Sequence, residues 1–326
     1  MKAGKASDIR IILSILLISG TLLASASEPA EILIKYGKSK HKSHEINTLD
    51  EKTKRNIAIV GGVTGGLYVA SMTGLYFAWY ADYPQSDFHF FNDNKEWLQM
   101  DKMGHATAAY NIGMVGYEAF KAAGLDERRS VWIGGTLGFA FLTTVEIFDG
   151  FSDGWGFSWG DMTANAVGAG LFIGQQFLWH EQRIALKYSF HTTKYAQYRP
   201  DLLGENFIEQ TIKDYNGITI WASCNFKSLF LNEKNKFPAW LNFAIGYGAD
   251  GMTGSFENPT EYHGRPIPSF DRNRRFLLSL DIDLTRIPVR NKFWKYTLKV
   301  LSFIKIPMPA IEYITSGKWN GYWLYF

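Results

Sequence analysis

Asp101 and His105 stand four residues apart, Glu146 and Asp149 three apart, and Asp161 and Asn165 four apart. On a helix, spacings of three and four place both members of a pair on one face. Lys102 lies beside the first pair, and Ser158 precedes Asp161 by three residues. One imidazole among several carboxylates suits three kinds of chemistry. Asp101, His105, Glu146 and Asp161 are the donor types that hold a divalent metal, the one cofactor this set suggests. Without a metal, His105 and Glu146 can pass a proton while Lys102 meets a phosphate head group. The third reading is architectural: His105 bridges carboxylates, and Ser158 caps a helix with the Asp161 carboxylate reaching back to it. None of these spacings selects one reading over the others.

The elements that position these residues are helical. Ile57 to Tyr80 carries no charged side chain and is rich in glycine. At about 1.5 Å per residue it can cross a hydrocarbon layer about 30 Å thick, and its closing Tyr76, Phe77, Trp79 and Tyr80 resemble an interfacial belt. A second helix is expected from Asp101 to about Ala123, a third from Ser130 to Phe148, and a fourth, capped by Ser158, to Arg183. If they pack as antiparallel neighbours, the start of the second, the end of the third and the start of the fourth meet, gathering the polar residues at one end. Ionisable groups in such apolar helices are costly unless paired.

The combination of Asp101-Lys102-x-x-His105, Glu146-x-x-Asp149 and Gly156-Phe157-Ser158-Trp159-Gly160-Asp161 with Asn165 and Gly168 resembles the YfiM-like predicted periplasmic lipoproteins and, more distantly, the VanZ-like membrane proteins. The resemblance covers about Asp101 to Gly174. It implies a small helical envelope domain of unestablished activity near cell-wall or lipid metabolism. The long form, with its added C-terminal region, looks like members from Bacteroidetes-type bacteria. The sequence departs from a lipoprotein pattern in having no lipobox cysteine; Cys224 is its only cysteine.

After residue 184 the period changes to two. Leu186, Tyr188 and Phe190; Ile218, Ile220, Ala222, Cys224 and Phe226; Leu241, Phe243, Ile245 and Tyr247; and Phe276, Leu278, Leu280, Ile282 and Leu284 each form one apolar face of an expected strand. The chain closes on Tyr322-Trp323-Leu324-Tyr325-Phe326. Two arrangements fit: an outer-membrane wall with its apolar face outward, or a sheet packed on the helices with that face inward. Lys292 to Ile304 reads as amphipathic. Cys224, on the apolar face, reads as a packed thiol.

The beginning of the chain bears on its compartment. Lys2, Lys5 and Arg10, the apolar Ile11 to Ala24 and the small residues Ala24-Ser25-Ala26 form a secretory signal. Removing it takes away three basic residues and one acidic one, so the net charge falls from +3 to +1. That leaves no field for a polyanion and excludes nucleic acid as a partner. Residues 27–55 are rich in lysine, with His41 and His44, and read as a flexible polar segment. The 11 Trp and 17 Tyr suit a membrane interface. The expected organisation is therefore α+β: a signal over 1–26, the polar segment, a Gly-rich four-helix membrane-associated bundle over 56–184, and an antiparallel β-sheet or partial barrel over 185–326. The expected function is a membrane-associated envelope component, in the outer membrane or on the periplasmic face of a membrane, that binds lipid or an envelope protein. A metal-assisted hydrolase or transferase acting on lipid or cell-wall precursors is the alternative.

Overall fold

Asp50 opens the first helix. Its side chain accepts a hydrogen bond from the Thr53 amide at 2.9 Å, filling one of the donors that a helix start leaves unmatched, and α1 runs Glu51–Leu75. The computed structural model describes residues 49–326 except 82 and 232–233. The expected signal, His41, His44 and most of the polar segment 27–55 lie outside the described residues. The last residues of that segment are helical and not loose, because Asp50 caps them and Lys54 pairs with Glu51 at 2.7 Å. A π-helical turn, Tyr76–Tyr80, follows α1.

The bundle continues with α2 (Met100–Ala122), α3 (Glu127–Gly135), α4 (Leu137–Gly150) and α5 (Trp159–Trp179). The expected third helix is thus two. The break falls at Thr136, whose hydroxyl donates back to the Trp132 carbonyl at 2.7 Å and competes with the regular ladder. Helix α2 lies with its backbone almost against its neighbours. A Cβ at Gly138 of α4 would stand 2.2 Å from the Ala109 carbonyl oxygen, and one at Gly168 of α5 would stand 2.0 Å from that of Ala106. Tyr110, Tyr117, Val131 and Phe172 fill the space between α2, α3 and α5. By length and composition, Glu51–Leu75 and the stretch Glu127–Gly150 are each long and apolar enough to cross a membrane. Of these, α1 is mostly exposed, whereas α3 and α4 pack partly into the bundle.

The β region is one antiparallel sheet of six strands in the order β1 (Ile184–Phe190), β2 (Ile218–Asn225), β3 (Leu241–Asp250), β6 (Asn273–Ile282), β7 (Met308–Ile314) and β8 (Lys318–Tyr325). A small hairpin, β4 (Glu261–Tyr262) with β5 (Arg265–Pro266), sits between β3 and β6. Three short helices, α6 (Pro200–Leu203), α7 (Phe207–Lys213) and α8 (Phe226–Phe230), lie in the connections. The amphipathic stretch after residue 291 forms α9 (Lys292–Leu301).

The sheet curls until strands far apart in its order touch. Tyr325 of β8 and Thr219 of β2 share a hydrogen bond of 2.9 Å, and Lys187 of β1 lies 2.7 Å from Asp281 of β6. Residues 303–305 run along the outer edge of β1, where the Tyr188 amide donates to the Phe303 carbonyl at 2.7 Å and the Lys305 amide to the Tyr188 carbonyl at 2.9 Å.

The two faces of this sheet are inverted relative to a soluble packed sheet. The enclosed side carries Lys187, Ser223, Asn225, Asn242, Arg275, Asp281 and Glu312, all buried. Arg275 donates to the Asn216 carbonyl at 2.7 Å, the Tyr325 hydroxyl at 3.1 Å and Glu312 at 3.4 Å. The enclosed side also holds a small apolar cluster of Trp221, Ala244, Leu277, Ala310 and Tyr325, and the outer side is apolar, covered on β1 and β2 by the helices and connections. Trp97 and Met100, just before and at the start of α2, pack there with Phe190, Ile218, Ile220 and Met252. On β3 the same face is covered at Tyr247 and Ala249, which join that cluster, and it is bare at Ile245 and along Phe276, Leu278, Leu280 and Ile311 of β6 and β7.

Candidate functional site: a buried acidic cluster around His105

The turn that leads into α2 holds the first group in place. Trp97, Leu98 and Gln99 all adopt positive φ, at 47°, 51° and 67°. Such left-handed backbone is unfavourable for residues with a Cβ. The β region clamps the turn: the Trp97 amide donates to the Ser255 carbonyl at 2.8 Å, the Tyr247 hydroxyl to the Leu98 carbonyl, and Arg274 to the Gln99 side chain at 2.6 Å. Strain of this kind persists only where its surroundings enforce it, and it concentrates at functional sites.

The first turns of α2 and α5 and the end of α4 converge. His105 Nδ1 lies 3.0 Å from Asn165 Oδ1, while its Nε2 faces Glu146 Oε1 at 3.7 Å and Asp101 Oδ1 at 4.0 Å. Lys102 reaches Asp161 Oδ2 at 3.0 Å, Asp101 Oδ2 at 3.5 Å and Asp93 Oδ1 at 2.7 Å. Ser158 caps α5, its hydroxyl accepting from the Asp161 amide at 3.1 Å and donating to Asp93 at 2.6 Å. The expected return bond from Asp161 to Ser158 is not made: Glu146 Oε2 accepts the Ser158 amide at 3.0 Å, because Lys102 draws the Asp161 carboxylate the other way. Asp149 accepts from the Tyr80 hydroxyl at 2.6 Å.

Three partners in this network fall outside the residues singled out by spacing. Asp93 and Tyr80 come from segments beside the helices, and Tyr215, from the turn before β2, donates to Asp101 Oδ1 at 2.7 Å. No local pattern marks any of them. Asp93 alone carries a readable hint, an acidic residue in an otherwise aromatic connection.

Burial and charge sort the carboxyls. Burial, reinforced by the Asp101 charge, pushes the Asp161 carboxyl up to about 9. Burial likewise raises Glu146 to about 8, although His105 opposes the shift. Burial works against the ionised form of Asp101 too, but His105 and Lys102 outweigh it and hold that carboxyl below its usual range. Burial thus works toward the neutral form of Asp161 and Glu146, while the neighbouring cations favour the ionised form of Asp101. Asp101, His105 and Asp161 each offer a ligand atom, all within 4.8 Å of one another.

Residues 87–174 match the family described as predicted periplasmic lipoprotein (DUF2279). The matched stretch contains Asp93, Asp101, Lys102, His105, Glu146, Asp149, Ser158, Asp161 and Asn165 but neither Tyr80 nor Tyr215, and it likens this region to cell-envelope proteins of unknown activity. No curated protein and no solved structure matches the chain. The family's description names a lipoprotein, whereas the single cysteine of this sequence, Cys224, is a buried thiol in β2.

Proposed function

We propose that this protein is a membrane-seated envelope component that contacts lipid through the outer face of β3, β6, β7 and β8. The observation that carries the proposal is a set of rows set by strand register. Ile245, Leu278 and Ile311 lie directly across from one another and are 53%, 56% and 55% exposed. The next row is aromatic on every strand: Tyr247, Phe276, Tyr313 and Trp319. On the other side of the aliphatic row come Phe243 with Leu280, then a cluster of Phe226, Phe230 and Phe237. Aliphatic rows between aromatic borders are what the outside of a wall facing hydrocarbon carries, and a bare apolar patch of this extent is unfavourable in water.

The exposed, apolar α1 supports the same seating, and the resemblance to YfiM-like and VanZ-like proteins agrees with it. A non-enzymatic role fits the cluster, since Glu146, Asp161 and Asn165 are buried and Glu146 and Asp161 already meet cluster partners. Membrane fractionation tests the proposal. The wild-type chain should remain with the membrane after high-salt and alkaline-carbonate washes, and a Leu278→Glu, Ile311→Glu variant should be released at least tenfold more readily. Recovery of the wild-type chain in the soluble fraction overturns the proposal.

A further inference from the structure

We propose that Asp101, His105 and Asp161, with Glu146 as a fourth donor, hold one divalent transition-metal ion of the manganese-to-zinc class. His105 Nε2 lies 3.7 Å from Glu146 Oε1 and 4.0 Å from Asp101 Oδ1. Both separations exceed a hydrogen bond. Both suit donors arranged around a common centre with bonds of about 2.0–2.2 Å, after an inward shift of a few tenths of an ångström.

The other atoms of the same residues are already taken, and Asp101 Oδ1 itself also accepts from the Tyr215 hydroxyl at 2.7 Å, the kind of outer hydrogen bond that orients a ligating carboxylate. Lys102 occupies the Oδ2 atoms of Asp101 and Asp161. Asn165 engages His105 Nδ1, which fixes the ring and directs Nε2 at the carboxylates, as outer partners of metal-bound histidines do. Glu146 Oε2 accepts the Ser158 amide, leaving Oε1 toward the ring. A second observation is independent of the clustering: Asp161 is 3% exposed, yet its Oδ1 has no partner. A buried carboxylate oxygen left without a donor is costly, and a cation removes that cost.

The charge balance points the same way. Asp93, Asp101, Glu146 and Asp161 are closed in with Lys102 and His105, so a divalent ion offsets an excess of acidic groups. One imidazole favours a transition ion over Ca²⁺ or Mg²⁺, which take oxygen alone.

The test uses the full chain in detergent, equilibrated with Mn²⁺ or Zn²⁺ alone and then freed of unbound ion. Elemental analysis should find about one ion per chain. His105→Asn and Asp161→Asn should each weaken binding at least tenfold, whereas Asp153→Asn, an exposed carboxylate in the α4–α5 loop, should bind as the wild type does. Because a cluster variant can fail to fold, pulsed electron paramagnetic resonance of the Mn²⁺-loaded wild type gives a separate readout, and it should show coupling to a histidine nitrogen. Substoichiometric metal at saturating ion, unchanged binding in a folded His105→Asn chain, or absent nitrogen coupling overturns the proposal. The fractionation experiment above is read independently, so failure of either proposal leaves the other standing.

Discussion

The Tyr215 hydroxyl donates to Asp101 Oδ1 at 2.7 Å, joining the turn before β2 to the first turn of α2 across 114 residues of sequence. Both side chains are part-buried where the helices meet the sheet. Removing the hydroxyl leaves Asp101 one donor short. Tyr215→Phe should therefore cost about 1 to 3 kcal/mol. Chemical denaturation read by tryptophan fluorescence checks this, and an unchanged midpoint would show that the bond contributes nothing.

Gly168 and Gly170 lie two residues apart on α5 and predict opposite outcomes. A Cβ at Gly168 meets the Ala106 carbonyl at 2.0 Å, whereas one at Gly170 meets nothing within 4 Å. Gly170→Ala should stabilise the chain by about 0.5–1 kcal/mol through helix propensity. Gly168→Ala should destabilise it by about 1–3 kcal/mol, because α2 must move away. Thermal unfolding of the two variants side by side decides the matter; equal shifts would mean that α2 and α5 are not in backbone contact.

Much of the bundle was readable in the sequence. Glycine-rich apolar runs marked the helices, Ser158 marked a start, and the four-residue spacings assigned Asp101 with His105 and Asp161 with Asn165 to single helix faces. The turn over Trp97 to Gln99 was not readable, because no glycine announces its left-handed backbone and the clamp comes from Ser255, Tyr247 and Arg274. Strand β7 escaped for a related reason: Pro309 interrupts it, and Glu312 turns inward to Arg275. Alternation in β3 and β6 defined two faces without saying which was enclosed. That choice depends on whether water or lipid lies outside, which is a property of the surroundings and not of the period.

Lys305 gives a test of the enclosed face. Its ammonium lies over the Trp221 ring at 4.5 Å. Burial, aided by the nearby Lys187 charge and opposed by Asp281, lowers its pKa to about 8 from an ordinary 10.5. In the unfolded chain the amine therefore binds a proton that the folded chain has lost between about pH 8 and 10.5. Stability should rise with pH across that window, since the unfolded state holds more protons there. Below pH 8 the penalty of burying the charge is fully present. Lys305→Met should flatten the rise, as measured by unfolding midpoints between pH 7.5 and about 10; a slope identical to that of the wild type would place the amine in solvent.

The segment along the edge of β1 sets an order of events. Residues 303–305 pair with Tyr188 only after more than a hundred intervening residues have been made, and Tyr325 reaches Thr219 from the second-last position of the chain. Contacts of such long range are slow to form. Closure of the sheet therefore waits on β8, so the curl forms as one late event and not strand by strand.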